Sequence, residues 1–281
     1  MELAMINDDV FPMSKIDPAY LDRGTFFGDG VYEVLRSYDG QIFALDEHLG
    51  RFEHSLREIW IDNIDIKEVR RKVLGAYQKS GFANARMYFH ITRGSEPRNH
   101  LPGKNIKPIF FLTVNELTDK PGEKEHGIKV CTHPDLRWKR CDIKSLNLLP
   151  NVMAKMVAEK KGCYEAILVN DAGEITEGSG SAFFAVDAKQ KALVTRPLGS
   201  DILPSITRSV VVKIAKNCGL GIIEKNLTPA QAVQCEELIM AVTTKDIVPI
   251  VQFDGQTIGT GTCGKHTRAL IEEFAKLARH R

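Results

Sequence analysis

The sequence predicts an α+β fold in two domains, and three observations point to it. Its length of 281 residues is enough for two ordinary domains. Strand-like and helix-like segments follow one another without strict alternation, which favours α+β over a doubly wound sheet. Segment 118–124 contains Pro-Gly and has no periodicity, as in a linker. We therefore predict an N-terminal domain at 1–117, a linker at 118–124 and a C-terminal domain at 125–281.

The predicted N-terminal domain opens on a β-hairpin. Residues 31–38 alternate like a strand, Asp39-Gly40 is a type I′ turn signal, and 41–44 form the returning strand. Asp46 is predicted to cap the next helix. In chain order, the further elements are helices at roughly 47–59 and 67–80 and strands at 85–93 and 108–114.

The predicted C-terminal domain mixes both kinds of element. Helix 205–218 carries one apolar stripe and ends at Gly219, and Thr228-Pro229 begins another helix. In chain order, the main elements are a strand at 128–132, a helix at roughly 150–161, strands at 166–170, 181–186 and 192–195, helix 205–218, a strand at 237–242 and a helix at 264–279.

Composition excludes several functional classes. A hydrophobic content of 43% and a charged content of 26% are typical of globular proteins in water. The net charge of +2 indicates neither nucleic acid nor an anionic membrane as a partner. No apolar run approaches the roughly 18–20 residues of a membrane span. The six cysteines form no Cys-x-x-Cys pair, and no secretion signal opens the chain, so we expect a cytoplasmic protein with reduced thiols.

Lys144 and Glu177 carry the most informative chemical signal. A lysine amine forms a Schiff base with an aldehyde, and a carboxylate can keep a pyridine nitrogen protonated, so that the ring accepts electrons. The two residues together suggest pyridoxal phosphate. Ser179 and Ser181, beside Glu177, either hydrogen-bond a cofactor or merely form a turn.

A phosphate site is predicted at the start of helix 205–218. The first backbone amides of a helix are unpaired and lie at the positive end of its dipole. Simple N-capping by Ser205 explains the same pattern. Arg51 points away from the apolar stripe of its helix and meets either a phosphate or water. The candidate phosphate ligands are Arg51, Ile206, Thr207, Thr243 and Thr244.

Two polar segments are candidates for substrate binding. Period two places Tyr32, Val34 and Arg36 on one strand face, which lines a pocket or is simply exposed. Arg98 and His100 lie in a proline-flanked loop and can bind a carboxylate, although a solvated loop has the same pattern.

Other catalytic chemistries find no support. The sequence has no Gly-x-Ser-x-Gly elbow with a suitably placed histidine and acid, which disfavours serine catalysis. Its eight histidines are dispersed without zinc-binding spacing, so we predict no metal.

Six short motifs in collinear order resemble the class IV aminotransferases, which are the fold-type IV pyridoxal phosphate enzymes. The similarity covers nearly the whole chain, and the shared order makes it specific. Segment 92–100 further resembles the members that act on D-amino acids. The motifs are residues 27–33, 46–52, 144–147, 176–179, 206–208 and 243–244.

The resemblance implies a two-domain fold with the cofactor in the cleft between the domains. It implies that Lys144 holds pyridoxal phosphate, that Glu177 pairs with the pyridinium nitrogen, and that the candidate phosphate ligands hold the phosphate. Tyr32, Arg98 and His100 would orient the substrate α-carboxylate. The Arg98–His100 loop would serve the neighbouring subunit of a homodimer.

The implied reaction is ping-pong transamination of D-alanine with 2-oxoglutarate. Aminodeoxychorismate lyases share the Leu146-Asn147 element but lack the Arg-x-His pair, and branched-chain enzymes carry a Gly-Asn-Tyr element instead. Arg36 replaces a lysine and Gly180 a serine of the D-specific pattern, which leaves the side-chain preference open. A binding protein that lost its chemistry is disfavoured by the presence of both Lys144 and Glu177.

Overall fold

The computed structural model describes residues 1–119 and 121–279. Strands and helices are mixed along the chain, as the sequence predicts. The strands are β1 (Leu3–Ile6), β2 (Asp9–Pro12), β3 (Gly30–Tyr38), β4 (Gln41–Ile42), β5 (Ala85–Thr92), β6 (Ile109–Glu116), β7 (Ile128–Pro134), β8 (Glu165–Val169), β9 (Ile175–Gly178), β10 (Ala182–Asp187), β11 (Ala192–Thr195), β12 (Gly221–Glu224), β13 (Glu237–Val242), β14 (Asp246–Phe253) and β15 (Gln256–Thr257). The helices are α1 (Arg23–Phe27), α2 (Leu45–Glu58), α3 (Ile66–Ser80), α4 (Pro121–His126), α5 (Leu149–Lys160), α6 (Ile206–Ala215), α7 (Pro229–Ala232) and α8 (Lys265–Arg279).

The first large element is a four-stranded antiparallel sheet in the order β4-β3-β5-β6. Helices α2 and α3 pack on it. Phe52 of α2 is fully buried against Phe89 of β5, with ring centroids 5.0 Å apart. This core fixes the side of α2 that faces the sheet, and therefore the direction in which its buried polar residues point.

The second large element is a nine-stranded mixed sheet in the order β12-β11-β10-β13-β14-β7-β8-β9, with β15 paired to β14. Helices α6 and α8 cover one face, where Phe184 and Phe274 share one apolar core. Tyr38 and Phe43 from the four-stranded sheet join that same core. The two sheets therefore pack through a shared hydrophobic cluster.

Most of the predicted elements are confirmed within a few residues. The turn at Asp39-Gly40 has φ values of 47° and 93°, as a type I′ turn requires. The returning strand is shorter than predicted, Gln41–Ile42. Thr228 forms a complete capping box at the start of α7. No helix among the described residues has the length and apolar character needed to span a membrane.

Two predictions about the elements were wrong, and one long strand was not predicted. Asp46 is not an N-cap, because Ala44 precedes the helix in a left-handed conformation and Asp46 lies in the first turn. The supposedly irregular linker contains the beginning of α4, while its Lys120 lies outside the described residues. Strand β14 was missed because it is buried along most of its length and so shows no alternation, and because Pro249 in its middle argues against a strand despite the Ile and Val residues around it.

Candidate active site

One cavity brings together residues from both large sheets. The empty space between its walls is about 750 Å³, which includes open solvent at its mouth. Several of the site residues predicted from the sequence line this cavity: Tyr32, Arg51, Lys144, Glu177, Ser179, Ser181 and Thr243. Residues as far apart in the chain as Tyr32 and Thr243 thus meet at one site.

Lys144 is fixed through its backbone, which leaves its amine free. Its N–H donates to the Ser55 hydroxyl at 3.1 Å, and its carbonyl accepts from the Tyr32 amide at 3.0 Å. The amine Nζ lies 4.3 Å from the centroid of the Tyr32 ring. It has no hydrogen-bond partner among the described residues, so it is available to a carbonyl compound in the cavity.

Glu177 is a buried carboxylate with one satisfied oxygen. Its Oε1 accepts from the Arg137 guanidinium and from the Leu203 amide at 3.2 Å. No described residue donates to Oε2. Burial raises the pKa of Glu177 and outweighs Arg137, which acts in the opposite direction. The free oxygen is therefore suited to a donor that arrives with a ligand.

Arg51 is buried beside the beginning of α6, rather than meeting only water. Its Nη1 donates to the Pro204 carbonyl at 3.1 Å, two residues before the helix. At the N-cap, Ser205 accepts from the Arg208 amide at 3.2 Å. The amides of Ile206 and Thr207 have no acceptor among the described residues. A guanidinium and unpaired helix amides together form a site for phosphate.

Glu33 fixes the direction of Arg51, and the sequence did not reveal it. This fully buried carboxylate accepts from Arg51 at 2.7 and 2.8 Å and lies 2.8 Å from His48 Nδ1. Burial opposes its charge, yet Arg51 and His48 hold the pKa of Glu33 well below its usual range. Burial lowers the pKa of His48. The pairing across β3 and α2 cannot be read from local sequence.

Ser179 and Ser181 border the cavity, but their hydroxyls are engaged. Ser179 donates to Glu165 Oε1, and Ser181 donates to Oε2 at 3.3 Å. Glu165 lies on β8 and is itself buried. Any contact of these serines with a cofactor therefore uses their backbone groups or hydroxyl lone pairs. Their cofactor role stays a prediction.

Among the predicted substrate residues of β3, Tyr32 lines the cavity, whereas Val34 and Arg36 are not in its described lining. Arg36 is buried and donates to the Thr244 carbonyl at 2.8 Å and to Asp119 at 2.5 Å. It thereby joins β3 to the turn after β13. The hydrogen bond from Arg36 occupies the Thr244 carbonyl, while the neighbouring residue Thr243 lines the cavity.

Arg98 and His100 lie in a loop held by the buried Arg23. Arg23 donates to the carbonyls of Asn99 at 2.5 Å and His100 at 2.9 Å, and to Glu96 at 2.9 Å. The loop does not contribute to the described lining of this chain's cavity. Its backbone is nevertheless fixed, as expected of a loop that presents side chains to a ligand.

Comparison with known proteins finds a matching family and similar proteins. The model of the family "Amino-transferase class IV" matches residues 30–253, which is most of the chain. A D-alanine aminotransferase of Bacillus licheniformis is 38% identical over 251 residues, covering 88% of this chain and 87% of the relative. A D-alanine aminotransferase of Staphylococcus haemolyticus is 37% identical over 279 residues, covering 98% of both chains.

Solved structures show the same fold. The branched-chain amino acid aminotransferase of Escherichia coli has a TM-score of 0.83 at 24% identity, covering 96% of this chain and 92% of its own. The branched-chain enzyme of T.th., solved with pyridoxamine 5′-phosphate, has a TM-score of 0.85 at 23% identity, covering 99% of this chain and 95% of its own. At this identity the likeness establishes the fold.

Proposed function

The chain belongs to the class IV aminotransferase family, and on that premise we propose that it transaminates D-amino acids with pyridoxal phosphate. The proposed reaction converts D-alanine and 2-oxoglutarate to pyruvate and D-glutamate. Support for the D-amino acid substrate comes from D-alanine aminotransferases that are 36–38% identical to the chain. The family and the aminotransferase fold agree with the resemblance seen in the sequence.

One observation carries the assignment of the chemistry. Lys144 and Glu177 line the same cavity. Neither the Lys144 amine nor Glu177 Oε2 has a hydrogen-bond partner among the described residues. Arg51 and the beginning of α6 supply an anion site beside them. The groups present thus fit pyridoxal phosphate: an amine for its aldehyde, an accepting carboxylate for its ring nitrogen, and donors for its phosphate.

Pyridoxal phosphate, when bound, supplies an aldehyde for amines and a ring that takes up the electron pair left at the substrate Cα. Lys144 Nζ would hold the cofactor and, once released by the substrate amine, move the Cα proton. Glu177 would face the ring nitrogen. Arg51, Thr243 and the amides of α6 would hold the phosphate.

Stereochemistry would depend on the group that binds the substrate carboxylate. Tyr32 lies within van der Waals range of the Lys144 amine, so a carboxylate held near its ring lies beside the base. In this proposal the guanidinium of Arg98 binds both carboxylate oxygens of the substrate, and His100 donates a further hydrogen bond to the same carboxylate. Together they would decide which Cα substituent faces Lys144.

We propose that Arg98 and His100 act in the neighbouring subunit of a homodimer. The support is that their loop is absent from the described lining of its own cavity. In addition, α5 exposes an apolar stripe made of Leu149, Val152, Met153 and Met156. Asn151 of the same helix lines the cavity, so a second subunit on this stripe would lie close to the site.

The same proposal includes the domain division at 1–117, 118–124 and 125–281, with the cofactor in the cleft between domains. The two separate large sheets and a cavity lined from both support it. We also propose a cytoplasmic location, because all six cysteines are unpaired, as in a reducing compartment.

The function is tested by mixing the purified holoenzyme with D-alanine and 2-oxoglutarate. We expect pyruvate and D-glutamate in equal amounts, with the parallel initial-rate lines of a ping-pong mechanism. Pyruvate release from aminodeoxychorismate, without turnover of D-alanine, would identify a lyase instead. Turnover of L-leucine or L-valine alone would identify a branched-chain enzyme.

A further inference from the structure

Arg137 lies at the edge of the cavity, between the buried carboxylate of Glu177 and the partly buried carboxylate of Asp135. Its Nε and Nη2 donate to Asp135 at 2.8 and 2.7 Å, and its Nη1 donates to Glu177 Oε1. The Asp201 carbonyl accepts from Nη2 at 3.1 Å. The Arg137 side chain is only 7% exposed and has several fixed partners, so the guanidinium has one orientation.

The charges of this cluster are unequal. Asp135 and Glu177 each carry a negative charge when ionised, whereas Arg137 supplies one positive charge. Lys144 is a second cation that favours ionised Glu177, but burial of the Glu177 carboxylate outweighs both cations and raises its pKa. Asp135 is supported by a hydrogen bond from Thr176 at 2.7 Å and by two from Arg137, which lower its pKa. Glu177 is therefore the member of the cluster that takes up a proton more readily.

Arg137 acts on the distribution of that proton. It contacts Oε1 of Glu177, whereas Oε2 is left for a ligand. The guanidinium is in direct contact with the carboxylate and therefore strongly stabilises ionised Glu177. It lies farther from a protonated ring nitrogen bound at Oε2 and destabilises that cation less, because Coulomb energy falls with distance. The proton shared between Glu177 and a ring nitrogen is thus biased toward the nitrogen.

We propose that Arg137 is a positioning residue that keeps Glu177 ionised and turns its Oε2 into the cavity. This inference rests on the proposed function, since the ring nitrogen is that of pyridoxal phosphate. A purely structural Arg137 would tie the end of β7 to β9 and would not change the proton affinity of Glu177.

The test is an infrared titration of the protonated carboxyl band of Glu177, in the holoenzyme and in cofactor-free protein. Variants R137Q, R137K and E177Q are compared across roughly pH 4 to 10, where buried carboxyls titrate. The double variant R137Q/E177Q identifies the band. R140Q is the matched control, since Arg140 is paired with Glu58 and Asp142 rather than with Glu177.

In R137Q we expect the titration midpoint of Glu177 in cofactor-free protein to rise by about one to three pH units. R137K should restore most of the parental midpoint, because it keeps the charge, and R140Q should match the parent. An unchanged midpoint in R137Q overturns the inference. If R137Q does not fold, the comparison of R137K with the parent decides, and a midpoint in R137K raised by about three pH units overturns it.

Kinetics give a second readout. R137Q should lower kcat by roughly tenfold or more, as loss of one electrostatic contact in a site does. In the E177Q background the same change should have little further effect, because the two residues act as one unit. Additive losses overturn the inference. Failure of the parent to turn over D-alanine bears on the proposed function alone, since the titration of cofactor-free protein does not depend on it.

Discussion

Replacing Glu33 by Gln tests how the phosphate end of the site is built. Glu33 is 0% exposed, and Arg51 is 8% exposed and paired to it at 2.7 and 2.8 Å. The change leaves a buried guanidinium without its counter-charge, and breaking a buried ion pair from one side costs about 3–5 kcal/mol. At about 2–4 °C per kcal/mol, the unfolding midpoint should fall by roughly 6–20 °C.

The stabilisation by Glu33 should depend on pH in a direction that its pKa determines. Because the pKa of Glu33 is depressed in the folded state, its contribution is complete above the unfolded value, about 4.3. It is lost as the pH falls through the folded value. The stability difference between parent and E33Q should therefore be constant from neutral pH down to about pH 5 and shrink in stronger acid.

Chemical and thermal unfolding, followed by circular dichroism, measure both effects. E68Q is the control, since Glu68 forms an exposed pair with Arg71 and its removal should leave the midpoint unchanged. A loss below about 1 kcal/mol in E33Q, comparable to a surface pair, would refute the view that Glu33 holds Arg51 by a buried ion pair.

Further predictions concern the reaction. K144A should lose all turnover and the lysine-bound absorbance of the cofactor; retained turnover would contradict the role of Lys144. R98Q should raise the KM for D-alanine at least roughly tenfold, with the cofactor affinity from absorbance titration unchanged; a weakened cofactor instead would place Arg98 at the phosphate. R23K should raise the same KM to a smaller degree, because the Arg23 fork fixes the carbonyls of Asn99 and His100; a parental KM would show that the loop is fixed otherwise. Refolded mixtures of K144A and R98Q chains should show turnover with the parental KM for D-alanine, which neither variant shows alone, since a hybrid dimer contains one intact site; a mixture that keeps only the raised KM of R98Q would contradict sites shared between subunits.

The sequence predicted best what local pattern controls. The turn at Asp39-Gly40, the end of α3 at Gly81 and the start of α6 after Ser205 each depend on nearby residues. Lys144 and Glu177 were identified by motif, and the structure brings them to one cavity. That Lys144 and Glu177 bind the cofactor remains a prediction and is part of the proposed function.

Long-range ion pairs could not be predicted. Arg36 shares a strand face with Tyr32 by period two, but periodicity says nothing about what lies opposite, and Arg36 meets Asp119 and Thr244. The contact of Arg137 with Glu177 depends on how β7 and β9 lie in the nine-stranded sheet. Such pairs are set by topology rather than by local sequence.

If Lys144 serves a D-specific transaminase, the cavity exchanges the amino group of a D-amino acid with the cofactor in a single half-reaction. A single-turnover reaction of the holoenzyme with D-alanine or L-alanine, followed by absorbance, measures this exchange. We expect D-alanine to convert the aldehyde form of the cofactor to its amine form with release of pyruvate, and L-alanine to do so far more slowly. Equal rates for both, or conversion by L-alanine alone, would contradict this expectation.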